Sequence, residues 1–141
     1  MPVGKPRILV VDDQVTNLYA MRRLLEPLHL DIIEVESGEA ALAAVLDDDF
    51  FLILMDVQMS GMDGFETASL ILSHPKTSQV PIIFLTAINK EKKFVTKGYQ
   101  SGAVDYMSKP LDPVILLSKV NIFKELWVLR QQALQDKEEL Q

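Results

Sequence analysis

The chain has 141 residues, enough for one domain whose core needs no covalent staples, and it holds no cysteine, which excludes disulfides and thiolate metal sites. Its composition, 48% hydrophobic and 24% charged, is ordinary for a globular protein. The net charge of −6 argues against a domain that binds nucleic acid through phosphate contacts.

The first apolar run, Ile8 to Val11, is β-branched, reads as a buried strand and stops at Asp12-Asp13. It is too short for a signal-peptide core, and no run approaches membrane-spanning length, so the expected location is cytoplasmic, with no membrane partner. Leu18, Met21, Leu24, Leu25 and Leu28 then recur at helical spacing, and Pro27 with His29 marks that helix's end. Asp31 to Val35 is the second strand. Ser37 is the N-cap of an Ala-rich helix through about Leu46, with Glu39 in its first turn. Asp47-Asp48-Asp49 reads as a solvated connection.

Phe50-Phe51-Leu52-Ile53-Leu54-Met55 follows, six apolar residues ending on Asp56. Such a run suits a strand buried on both faces of a parallel sheet. Residues 60–64 form a glycine-bearing loop, and Asp63 with Glu66 fits a capping-box start to a helix that His74-Pro75 closes. Val80 to Leu85 is a fourth strand ending on Thr86. Asn89 to about Gln100 is a fourth helix, mostly polar. Ala103 to Met107 is a fifth strand leading to Ser108-Lys109-Pro110, and Asp112-Pro113 pairs an N-cap with proline at the first helical position. This alternation implies a parallel sheet covered on both faces, with right-handed crossovers.

In that layout the carboxyl ends of the strands carry Asp12, Asp13, Asp56, Thr86 and Lys109, at the edge where open α/β sheets bind ligands. Three carboxylates together repel, and a hard divalent cation such as Mg²⁺ resolves the repulsion. Cation, lysine and hydroxyl together suit a transferring phosphoryl group, with the Asp56 carboxylate as nucleophile. Taken singly, each of these residues has a plainer reading: a cap, a strand-end hydroxyl, a surface lysine. His29 and His74, at helix ends, read as surface residues.

Val10-Val11-Asp12-Asp13, Leu54-Met55-Asp56, Gly61-Met62-Asp63-Gly64, Leu85-Thr86-Ala87 and Asp105-Tyr106-Met107-Ser108-Lys109-Pro110 together resemble the receiver domain of two-component response regulators, over roughly residues 7 to 125. The resemblance implies a flavodoxin-like, doubly wound five-stranded parallel sheet of order 2-1-3-4-5. It implies that Asp56 accepts a phosphoryl group from a histidine kinase or histidine phosphotransfer protein. Asp13 and Asp56 match direct Mg²⁺ ligands, Asp12 a ligand through water, and Gln58 a backbone-carbonyl ligand. Thr86 and Lys109 match the pair that contacts the phosphoryl group, and Tyr106 the aromatic that changes rotamer as Thr86 moves. Phosphorylation would then switch a surface around the fourth helix and fifth strand. A cis peptide before Pro110 is also implied. Ser60 departs from the family, which usually has proline there, and a looser loop is the expected consequence.

From Pro113 the helical pattern has no stop before Gln141. Leu116, Val120, Phe123, Trp127 and Leu134 form one stripe, and Ile122, Leu126, Leu129, Ala133 and Leu140 a second. Residues 1–125 therefore read as the receiver domain. Residues 126–141 read as a helical extension that pairs with another chain or, as a coiled-coil linker, leads into an output domain outside this sequence.

Three other functions compete. A phosphatase using an aspartyl nucleophile typically needs a second aspartate two residues on, where this chain has Gln58, so the chain is expected to phosphorylate and dephosphorylate itself rather than act as an enzyme on external substrates. A receiver that binds partners without phosphorylation is the alternative that the complete acidic set disfavours. A nucleotide-binding fold lacks support, since neither a Walker A sequence nor G-x-G-x-x-G is present.

Overall fold

In the computed structural model, which describes residues 4–86 and 105–139, five short strands form one parallel sheet in the order β2-β1-β3-β4-β5. The strands are β1 (Arg7–Val11), β2 (Asp31–Val35), β3 (Leu52–Asp56), β4 (Ile82–Thr86) and β5 (Asp105–Ser108). Three helices connect them, α1 (Val15–Leu25), α2 (Gly38–Asp47) and α3 (Gly64–Ser73), and a C-terminal helix spans Pro113–Glu139. The helix expected over residues 89–100 and the first residues of the fifth strand lie outside the described residues. The flavodoxin-like fold class, with its 2-1-3-4-5 order and extended C-terminal helix, is the observed one.

The apolar runs become central strands because both sheet faces are covered. Alternate residues of β1, β3 and β4 point to opposite sides. Ile8, Val10, Leu52, Leu54, Ile83 and Leu85 join Leu18, Met21 and Leu25 of α1 and Leu116 and Val120 of the C-terminal helix. Leu9, Val11, Ile53, Met55, Ile82 and Phe84 join Ala41 and Val45 of α2 and Phe65, Ala68 and Ile71 of α3. Phe65 meets Phe84 edge-on, with ring centroids 4.8 Å apart. Each fully buried Leu or Ile contributes about 1.5–3 kcal/mol, so these two layers carry the fold.

The helix ends follow local chemistry. Ser37 Oγ accepts from the Ala40 N–H at 3.1 Å, Asp63 Oδ1 from the Glu66 N–H at 2.9 Å, and Asp112 Oδ1 from the Val114 N–H at 2.9 Å. Each caps an otherwise orphaned donor. His29 closes the 3₁₀ turn Glu26–Leu28 in the left-handed conformation, with φ 53°. Asp48, read from sequence as merely solvated, accepts from Arg7 Nη1 at 3.1 Å.

The C-terminal helix is 27 residues long. Its first half packs Leu116 and Val120 into the core, and Phe123 and Trp127 lie partly buried against it. Lys124 Nζ donates to the Leu28 carbonyl at 3.3 Å. Beyond that the helix leaves the sheet: Leu134, grouped by spacing with the packed stripe, is 51% exposed.

Candidate functional site

The two central strands bring the acids together. Parallel pairing sets Val11 of β1 level with Met55 of β3, so the next residues, Asp12 and Asp56, are neighbours at the carboxyl edge. Carboxylate oxygens of Asp12, Asp13 and Asp56 lie within 4.8 Å of one another. Asp12 and Asp56 are buried, and Asp13 is half-buried.

Lys109 supplies the counter-charge. Its Nζ donates to Asp56 Oδ1 at 3.0 Å and lies 3.5 Å from Asp12 Oδ2. β5 pairs with β4 so that Ser108 is level with Thr86, and the Lys109 N–H donates to the Thr86 carbonyl at 2.6 Å. The Lys109-Pro110 peptide is cis. Thr86 itself is buried, 2% exposed, at the end of β4. Burial pushes the Asp56 carboxyl up from its ordinary value, the Lys109 hydrogen bond and charge pull it down, and the Asp12 and Asp13 carboxylates push it up again.

The acids are held by their own loops. Asp12 Oδ1 accepts from the Gln14 N–H at 2.9 Å and from Asn17 Nδ2 at 3.3 Å. Asp13 Oδ2 accepts from the Ser60 N–H at 3.0 Å and from Ser60 Oγ at 3.3 Å. Ser60 thereby ties its loop to the acidic cluster, a contact that the departure from the family's proline did not suggest. Proline has no N–H to give, whereas serine makes two contacts to a carboxylate of the cluster.

Gly64 is a site-shaping residue that the sequence reading placed only in a loop motif. A methyl group there would fall 2.3 Å from the Asp56 carbonyl oxygen, so α3 can start against the back of the acidic strand only without a side chain. Nothing short-range in the sequence reveals that approach. Gln58 is exposed, two residues past Asp56. Tyr106 packs against the α2–α3 side of the core, and its buried hydroxyl has no hydrogen-bond partner among the described residues.

Three carboxylates without nitrogen or sulfur donors are a hard-oxygen set, suited to Mg²⁺, Ca²⁺ or Mn²⁺ rather than to softer metals.

Residues 8–121 match the family model for the response regulator receiver domain. The chain belongs to that family. This receiver domain is 33% identical over 115 residues to the protein PilH of Pseudomonas aeruginosa, covering 82% of this chain and 94% of PilH. It is 41% identical over 111 residues to the sensor protein GacS of Pseudomonas syringae, covering 75% of this chain but only 12% of GacS. Among solved structures, the receiver resembles the chemotaxis protein CheY4 of Vibrio cholerae at 26% identity and a TM-score of 0.78, over 85% of this chain and 99% of that one.

Proposed function

We propose that this receiver domain accepts a phosphoryl group on Asp56 from a histidine kinase or histidine phosphotransfer protein, in a Mg²⁺-dependent reaction. The observation that carries the reading is the buried Asp56 carboxylate, 3.0 Å from Lys109 Nζ and grouped with Asp12 and Asp13. Asp13, Asp56 and the Gln58 carbonyl would hold the cation directly, and Asp12 through water. The ion, when bound, neutralises charge on the phosphoryl oxygens. Asp56 is the nucleophile; Lys109 orients its carboxylate and then faces the transferred group. Thr86 at the next strand end offers its hydroxyl to the same group.

Tyr106 supports a switching role. Its buried hydroxyl has no partner among the described residues, and an unmet buried hydroxyl costs about 1–3 kcal/mol, which a rotamer that reaches a partner or solvent would relieve. The switched surface lies around the fourth predicted helix and β5. The chain acts on no external substrate and binds no nucleic acid itself. Residues 1–125 are the receiver and 126–141 a helical extension. Among the described residues no helix is long and apolar enough to cross a membrane; a cytoplasmic location is the one that phosphotransfer from a histidine kinase would require.

Incubation with Mg²⁺ and acetyl phosphate or phosphoramidate, followed by intact mass, tests this. One phosphoryl adduct is expected, absent in Asp56→Asn and without Mg²⁺. No adduct on the parent chain, or an adduct that survives in Asp56→Asn, overturns the assignment; the first outcome makes this a receiver that works without phosphorylation.

A further inference from the structure

The C-terminal helix carries an apolar face that is left largely exposed among the described residues. Ile115, Ile122, Leu126 and Leu129 are 48%, 57%, 57% and 65% exposed. At about 100° per residue these four positions, with Ala133, fall within an arc of about 60°. Leu116, Val120, Phe123 and Trp127, which pack on the sheet, centre about 120° around the helix from that arc. The exposed stripe is therefore separate from the face used by the receiver core.

Its spacing is a heptad. Ile115, Ile122, Leu129 and Asp136 take the d positions, and Lys119, Leu126, Ala133 and Leu140 the a positions, so the apolar seam is the central stretch Ile122 to Ala133, bounded by a charge at each end. In this register Glu125 is a g position and Arg130 the e position five residues later. Two parallel helices place g of one beside that e of the other, so Glu125 meets Arg130 of a second copy, twice by symmetry. Antiparallel helices would instead set g against g and e against e, bringing Arg130 towards other e positions, where Phe123 and Lys137 offer it no opposite charge. Among the described residues, neither the Glu125 nor the Arg130 side chain has an ion-pair or hydrogen-bond partner.

We propose that this helix forms a parallel two-stranded coiled coil with a second copy of the chain, sealed by Ile122, Leu126 and Leu129 and aligned by Glu125 against Arg130. The occupant is a second copy because Glu125 and Arg130, on opposite flanks of the stripe, are complementary across a parallel pair of copies. Two strands are favoured over four because the receiver body lies on the neighbouring face, and because Lys119, at an a position, stays paired with Asp105 of its own chain. This proposal goes beyond the phosphoacceptor reading and does not depend on it.

Sedimentation of the whole chain from micromolar to millimolar concentration, with and without acetyl phosphate and Mg²⁺, is the test. A monomer–dimer equilibrium is expected. Leu126→Asp with Leu129→Asp abolishes the dimer while leaving far-ultraviolet circular dichroism and the melting midpoint of the receiver unchanged, because both residues are exposed. Glu125→Arg and Arg130→Glu each weaken self-association at least several-fold at low salt, and the two together restore it. Ala133→Cys, in a chain otherwise without cysteine, cross-links efficiently on oxidation, since a positions face each other only in a parallel pair. A monomer at every concentration, a tetramer, assembly indifferent to both charge substitutions, or failure of Ala133→Cys to cross-link overturns the proposal.

Discussion

Both edges of the sheet carry ion pairs, and they do different things. At the amino edge Arg7, the first residue of β1, meets Asp31 at 2.8 Å and Asp48 at 3.1 Å, with all three side chains more than a third exposed. At the carboxyl edge Lys109 meets Asp56 and Asp12, whose side chains are 9% and 6% exposed. Water competes for the first set and screens it, so such pairs contribute little. Around the second set the low dielectric raises the cost of each charge and strengthens each attraction. A basic side chain facing two carboxylates is thus a nearly neutral surface feature at the amino rim and a strongly coupled cluster, able to hold a cation, at the carboxyl rim.

The contrast can be broken most sharply at Lys109. Lys109→Met leaves Asp12 and Asp56 buried without their amine, and should lower stability at neutral pH by about 1–2 kcal/mol, tempered by the partial exposure of the ammonium. Urea unfolding measures it, and Mg²⁺ should recover most of the loss in the variant.

A smaller effect of opposite sign is expected for Asp56→Asn. Burial raises the Asp56 carboxyl in the folded state. A raised acid favours the fold at pH below its unfolded value, and that contribution is lost as pH rises through the folded value. Without metal, the asparagine variant should therefore melt above the parent at neutral pH and converge with it in acid. Mg²⁺ should raise the parent's midpoint more than the variant's. A variant that melts lower at neutral pH would show that the Lys109 attraction outweighs burial.

Ser60→Pro removes two hydrogen bonds to Asp13 but stiffens the loop, and a net loss of about 0.5–1 kcal/mol is expected by urea unfolding. Arg7→Gln, at the opposite rim, should leave the melting midpoint and its salt dependence nearly unchanged. A large loss there would mean that exposure does not divide the two rims.

The strands were legible because buried parallel strands are written as unbroken apolar runs, and Ile8–Val11 and Leu52–Met55 are such runs. The caps at Ser37, Asp63 and Asp112 were legible because a cap and its donors lie within three residues. The gathering of Asp12, Asp13, Asp56 and Lys109 at one edge followed once the runs were taken as parallel. Contacts that couple distant segments were not legible. Ser60 reaches Asp13 across 47 residues, and Arg7 reaches Asp48 across 41. Gly64 abuts the backbone of Asp56 through a fold-dependent approach that no local pattern encodes. Leu134 shares the spacing of buried positions but lies where the helix has run past the sheet, so its exposure follows from helix length and not from periodicity.

The outermost strands bear on how such chains share a crowded cell. β2 carries Asp31 and Glu34 within its five residues, tied to Arg7 and Arg22, and the described part of β5 carries Asp105 tied to Lys119. A neighbour adding itself as a sixth strand would have to strip water from these charges. Lateral growth of the sheet into aggregates is thereby discouraged at both margins.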